Sequence, residues 1–156
     1  MEYNSGNGQH GTLSQSVIDQ YVTKLECVFD VDPPKMPSLR KADAILNDYK
    51  SQKGASEADI ALFHLHYAEC CVNHLDCFGG GPEELYDAAE DNFRAALDYA
   101  KKDRKFLDEN VDLFKSVAYG FPGTEYLGDW LEEAISIQSK TVSSRKHSST
   151  AEEAES

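Results

Sequence analysis

Large apolar residues recur every three or four positions from Leu13 to Ile137, with polar residues between them, and no segment alternates with period two. That period lines one side of an α-helix, so the pattern predicts helices and no sheet. The first stripe, Leu13, Val17, Tyr21, Leu25 and Val28/Phe29, widened by Ile18 and Val22, predicts a helix ending near Asp30. Pro33, Pro34 and Pro37 forbid its continuation, because each lacks an amide hydrogen and disfavours helical geometry in the residue before it. Ser38 is a good N-cap for a second helix with Leu39, Ala42, Ile45, Leu46 and Tyr49 inward, closed by Gly54. Ser56 and Asp59 approximate a capping box for a long third helix, whose stripe is Ile60, Phe63, Tyr67, Cys71, His74 and Phe78.

Gly79-Gly80-Gly81 ends that helix, and Pro82 suits the first position of a fourth, where Glu83 and Glu84 favour the positive end of the helix dipole. Leu85, Ala89, Phe93, Ala96 and Ala100 point inward, and the short link makes the third and fourth helices an antiparallel hairpin. A fifth helix from about Lys105 to Tyr119 buries Phe106, Val111, Phe114 and Val117. The turn Gly120-Phe121-Pro122-Gly123 leads to a sixth with Leu127, Trp130, Leu131, Ala134 and Ile137 inward. The predicted fold is all-α, about six helices in antiparallel hairpins forming a bundle or a short repeat-like array. The small-large-small spacing of Ala89, Phe93 and Ala96 resembles the second helix of a tetratricopeptide repeat, which implies a close helix–helix approach. The preceding helix lacks that repeat's Trp, Leu, Gly and Tyr series, and no second copy follows at about 34 residues.

Composition adds the ends and the compartment. Residues 1–11 are rich in Gly, Asn, Ser and Gln, and residues 140–156 in Ser, Thr, Glu and Lys, so disordered tails are expected around a single domain at 12–139. Ser143, Ser144, Ser148, Ser149 and Thr150 lie close to Arg145 and Lys146 and are candidate phosphate acceptors. The N-terminus lacks the basic region and apolar core of a secretory signal, and no apolar run approaches the roughly 20 residues of a membrane span. A cytoplasmic protein that does not enter membranes is the expectation. Cys27, Cys70, Cys71 and Cys77 are too few and too clustered for a disulfide framework, which leaves reduced thiols.

The net charge of −13 is unevenly placed. Between Glu57 and Asp98 stand ten acids and a single base, Arg94. Such a field repels nucleic-acid phosphates and anionic lipid, and it favours a protein with a basic surface as partner. Glu83, Glu84, Asp87, Glu90, Asp91 and Asp98 are the candidate partner-binding residues. The dipole gives Glu83 and Glu84 a local reason to be acidic, but it does not reach Asp87, Asp91 and Asp98.

His64, His66, Cys70, Cys71, His74 and Cys77 form the densest chemical constellation. Imidazole and thiolate suit zinc or copper, and His66 with Cys70, or Cys70 with His74, lie one turn apart. However, His66 and His74 are separated by about 12 Å along a helix axis, so one helix supplies only two ligands. The others would have to come from Cys27, His10 or His147. The alternative is that Cys71 and His74 are buried, Cys70 and Cys77 flank them, and the other histidines lie on the surface. Gly79-Gly80-Gly81-Pro82 is no phosphate cradle, since Glu83 and Glu84 would repel the anion and no lysine follows. No nucleophile elbow or paired catalytic acid is recognisable. The sequence therefore reads as a non-enzymatic interaction protein, an adaptor, inhibitor or assembly factor, with a metal-binding or thiol-redox protein using His66, Cys70, His74 and Cys77 as the rival.

Overall fold

The computed structural model describes residues 15–31, 35–120 and 125–136. Those residues form six helices and no strand: α1 (Gln15–Phe29), α2 (Leu39–Lys50), α3 (Glu57–Cys77), α4 (Glu83–Ala100), α5 (Arg104–Ala118) and α6 (125–136). The expected tails at 1–11 and 140–156, and the expected core positions Leu13 and Ile137, lie outside the described residues.

The helix starts follow from capping chemistry. Ser38 Oγ accepts the Lys41 amide at 3.2 Å, Ser56 Oγ the Asp59 amide at 3.0 Å, and Asp103 Oδ1 the Phe106 amide at 3.1 Å, each satisfying a donor that the first turn leaves without an intrahelical partner. Pro82 is the N-cap of α4 and not its first helical residue, because its ψ of 157° is extended. α2 ends at Lys50, before Gly54, where the Ser51 hydroxyl and the Gln52 side-chain Nε2 both turn back onto the Asp48 carbonyl, at 2.8 and 3.1 Å. Gly54 then takes a φ of 95° in the following turn. Gly79 and Gly80, at φ 69° and 122°, reverse the chain after α3, and the Gly80 amide closes onto the Leu75 carbonyl at 2.7 Å.

α3 and α4 run antiparallel. His64 near the start of α3 bonds Asn92 in the second half of α4, while Leu75 and Leu85 meet beside Gly81 at the connecting turn. α3 is the central element, in contact with α1, α2, α4 and α5. It is accordingly buried along two stripes, Phe63, Tyr67, Cys71 and His74 on one and Ala61, Leu65, Ala68, Val72 and Leu75 on the other. The single predicted stripe is thus half of the truth. Its outer members do not fit: Ile60 is half-buried and Phe78 is 43% exposed. In α4 all five predicted inward residues are buried. In α5 Leu107 is buried and Val111 only half-buried.

α6 packs across the end of α5 and the outside of α4. Leu127, Leu131 and Ala134 are buried, whereas Trp130 is half-buried with the Arg94 guanidinium 5.2 Å from its ring centre. Gly128 admits the Tyr119 ring, since a Cβ there would stand 2.5 Å from it. No described helix is long and apolar enough to cross a membrane.

Candidate functional site

Two clefts open on the surface where the chemistry-bearing residues gather. The first, about 320 Å³, lies between the start of α2, the middle of α3 and the first half of α4. Glu84, Asp87 and Asp91 share one side of α4 because spacings of three and four return to the same helix face. Asp43 faces them from α2, and Tyr67 and Asn92 complete the polar lining. Tyr67, itself buried, donates its hydroxyl to Asp43 Oδ1 at 2.7 Å and so fixes the α2 carboxylate. Burial, followed by that bond to Asp43, raises the Tyr67 pKa, so the hydroxyl stays a donor. Among the described residues no lysine or arginine lines this cleft.

The expected partner-binding residues therefore separate into groups. Glu84, Asp87 and Asp91 come together; Asp98, a further seven residues on, continues their line. Glu83 and Glu90 fall on a different line of α4. Glu90 bonds the hydroxyl of Tyr126 on α6, whose pKa is raised by burial first and by Glu90 second, so it has a structural partner. Asp43 was not recognisable from the sequence. It stands more than forty residues from Glu84 and Asp87, and nothing local distinguishes it from any other helical acid.

The second cleft, about 340 Å³, lies between the C-terminal ends of α1 and α3. Phe29, His74 and Phe78 form its apolar part, with Cys70 and Cys77 beside them and Glu26, Asp30 and Glu69 around it. His74 packs edge-on against Phe78 and Phe29, with ring centres 4.4 and 6.5 Å away. Burial lowers its pKa and so favours the neutral ring near pH 7, while the hydrogen bond to the Phe29 backbone opposes that shift. Burial also pushes the Cys70 thiol up to about 12, with Glu26 and Glu69 adding to it, and raises the Cys71 thiol well above its ordinary value. These are the opposite of the depressed values that make a thiol reactive.

Of the metal candidates, Cys70, His74 and Cys77 border this cleft. His66 instead engages Glu69 at 3.1 Å on α3 itself. Among the described residues no three His, Cys, Asp or Glu side chains gather in an arrangement that could hold a metal ion. All four cysteines are free thiols. His64, expected at the surface, is half-buried in the α3–α4 seam. Asn92 donates to the Ala88 carbonyl at 2.8 Å, which turns its Oδ1 to His64 Nδ1, also at 2.8 Å, so the imidazole is the donor there. Burial lowers the His64 pKa, only partly offset by that bond.

No protein family, curated protein or solved structure matches the chain, so the site stands on its own geometry.

Proposed function

We propose that the protein is a non-enzymatic interaction protein, an adaptor, inhibitor or assembly factor, that docks a basic protein surface through the acidic cleft of α2 and α4. The observation that carries this reading is the convergence of Asp43, Glu84, Asp87 and Asp91, from two separate helices, on one recess that no lysine or arginine lines among the described residues. Like charges that line one recess repel one another, and a lysine or arginine side chain entering it relieves that repulsion. The excess of acids from Glu57 to Asp98 extends the field beyond the contact itself and accelerates encounter with a basic partner.

The test begins with the protein that copurifies from the native cell and measures its binding kinetics. Raising ionic strength from about 50 to 500 mM is expected to slow association while leaving dissociation less affected, because screening then acts over distances well below about 10 Å. The variant Glu84→Gln/Asp87→Asn/Asp91→Asn is expected to bind more slowly and weakly, with a melting temperature unchanged or higher. A control of equal net charge, Glu125→Gln/Asp129→Asn/Glu133→Gln, removes exposed acids of α6 that lie outside the cleft and is expected to bind nearly as the parent does. Unchanged kinetics of the cleft variant would remove the acidic cleft from recognition.

A further inference from the structure

We propose that the partner segment carries a large apolar residue close to its basic ones, and that this residue seats in the second cleft, against Phe29, His74 and Phe78. The proposal rests on the acidic-docking reading above and names what that reading leaves open, the chemistry of the segment recognised.

Three large apolar side chains are exposed among the described residues: Met36, Phe78 and Tyr119. Tyr119 is accounted for, since its hydroxyl donates to Glu132 at 2.6 Å. Met36 and Phe78, 39% and 43% exposed, converge on one place. Both line a small recess of about 120 Å³ that also includes His74 and Pro82, and Phe78 and His74 line the larger cleft on the other side. Phe78 is thus a ridge between two concavities. Exposed apolar side chains that adjoin concave, partly apolar surface are characteristic of interaction sites, whereas single scattered ones need no explanation. A recess of about 340 Å³ is at the lower end of the range that accepts small molecules, which suits one or two side chains of a peptide.

The surroundings select the occupant. Among the described residues Glu26, Asp30 and Glu69 border the larger cleft without a lysine or arginine, and Lys35 of the small recess is the one cation beside them, so an apolar residue arriving with basic neighbours meets a predominance of complementary charge. A second copy of this chain, with its charge of −13, would bring acids against acids. The two clefts also lie along one track. Met36 of the small recess precedes Leu39 of the acidic cleft by three residues, and Pro82 precedes Glu84 by two. From Pro82 to Asp91 is nine residues, about 13 Å along the axis of α4, a span covered by about four extended residues. Phe78 and Pro82 line the same small recess, so an extended segment that crosses this recess and continues for that span reaches both clefts, its apolar residue at Phe78 and its lysine or arginine between Asp43 and Asp91.

The experiment is selection of a displayed library of random twelve-residue peptides on the full chain, followed by affinity measurement of the selected peptides as synthetic molecules. Enrichment of lysine or arginine with one aromatic or large aliphatic residue a few positions away is the expected result. Phe78→Ala is expected to weaken such peptides about fivefold or more, and to make replacement of the peptide's own apolar residue by Ala nearly silent, as for a paired hot spot. Asn73→Trp, at an exposed position of α3 that lines the same cleft, fills it and repeats the test should Phe78→Ala disturb the turn after α3. Basic peptides with no apolar preference, or with unchanged affinity for both variants, would overturn this inference and leave the acidic docking site standing. Peptides without basic residues, or no enrichment at all, would overturn both.

Discussion

The two buried faces of α3 are built on different principles. Toward α1 and α2 the contacts are aromatic, with Tyr49 and Phe63 ring centres 5.2 Å apart, Tyr21 and Tyr49 5.0 Å, and Phe29 and Tyr67 6.1 Å. Each of the three tyrosines brings a hydroxyl whose burial is costly unless it finds a partner. Toward α4 the stripe of Leu65, Ala68, Val72 and Leu75 meets Leu85, Ala89, Phe93 and Ala96, side chains with no polar atom, and Phe114 of α5 packs edge-on against Phe93 at 5.6 Å. Apolar burial holds the second face, and a polar, titratable contact enters it at the seam's edge, where His64 bonds Asn92. The first depends also on carboxylates at its rim, Asp48 for Tyr21 and Asp43 for Tyr67. Asp43 belongs to the acidic cleft as well, so recognition is proposed to reside where the packing is already polar.

The comparison is broken most severely by damaging the apolar face. Phe114→Ala is expected to lower the free energy of unfolding by about 3 to 5 kcal/mol, because the ring is fully buried between Phe93 and Phe106 and its removal leaves a cavity. Urea denaturation at several pH values measures it. The loss should be the same at pH 5.5 and 7.5, since nothing titratable touches the ring through these contacts; a strongly pH-dependent loss would show that the face is less apolar than its side chains.

Trp130→Ala is expected to cost less, about 1 to 2 kcal/mol. The indole is half-buried, packed against Tyr126 at 5.6 Å and under Arg94, so part of it is already in water and its deletion leaves no enclosed void. A loss near that of Phe114→Ala would make α6 an integral part of the core and not an outer cover.

Sequence periodicity revealed the elements well because each helix except α3 has one buried side. Leu85, Ala89, Phe93, Ala96 and Ala100 were legible as the core of α4, and Tyr21, Leu25 and Phe29 as that of α1. α3 was legible as a helix but not as a central one, because apolar residues on both sides blur a single stripe; Phe78 was placed inward on the strength of period alone. The site was legible in part. Charge density drew attention to α4, and spacing alone relates Glu84, Asp87 and Asp91, but Asp43 joins them only through tertiary packing. The His and Cys cluster shows the reverse. Proximity in sequence suggested joint chemistry, whereas the helix distributes those side chains among the core, the α4 seam and the second cleft.

Acid should reveal the histidines on either side of α3 as a smaller effect. His64 on the α4 side and His74 on the α1 side both have pKa values lowered by burial, so below about pH 6.5 the unfolded chain takes up protons that the folded one resists. Stability is expected to be insensitive to these two groups above pH 7 and to fall as pH drops from about 6.5 toward their folded values. His64→Gln, which keeps a donor for Asn92, should remove part of that slope when unfolding is followed between pH 7.5 and 5.5. An unchanged slope would mean that His64 is protonated equally in both states.

The finest distinction is within the aromatic face, between two buried tyrosines. Tyr67 donates to Asp43 at 2.7 Å, whereas the Tyr49 hydroxyl, fully buried between Tyr21 and Phe63, finds no hydrogen-bond partner among the described residues. Burial is the first cause of the raised pKa of both, so both stay protonated, and replacing either by Phe removes one oxygen and little volume. Tyr67→Phe should cost about 1.5 kcal/mol, the lower end for a hydrogen bond to a charged group because Asp43 is exposed, and should also free Asp43 to move in the acidic cleft. Tyr49→Phe should cost nothing and can stabilise by up to about 1 kcal/mol, since it removes a buried polar group that has lost its water without replacement. Equilibrium unfolding of the two variants side by side cancels their shared loss of a phenolic oxygen. A destabilisation by Tyr49→Phe as large as that by Tyr67→Phe would show that the Tyr49 hydroxyl is bonded in solution, through a buried water held between α1, α2 and α3.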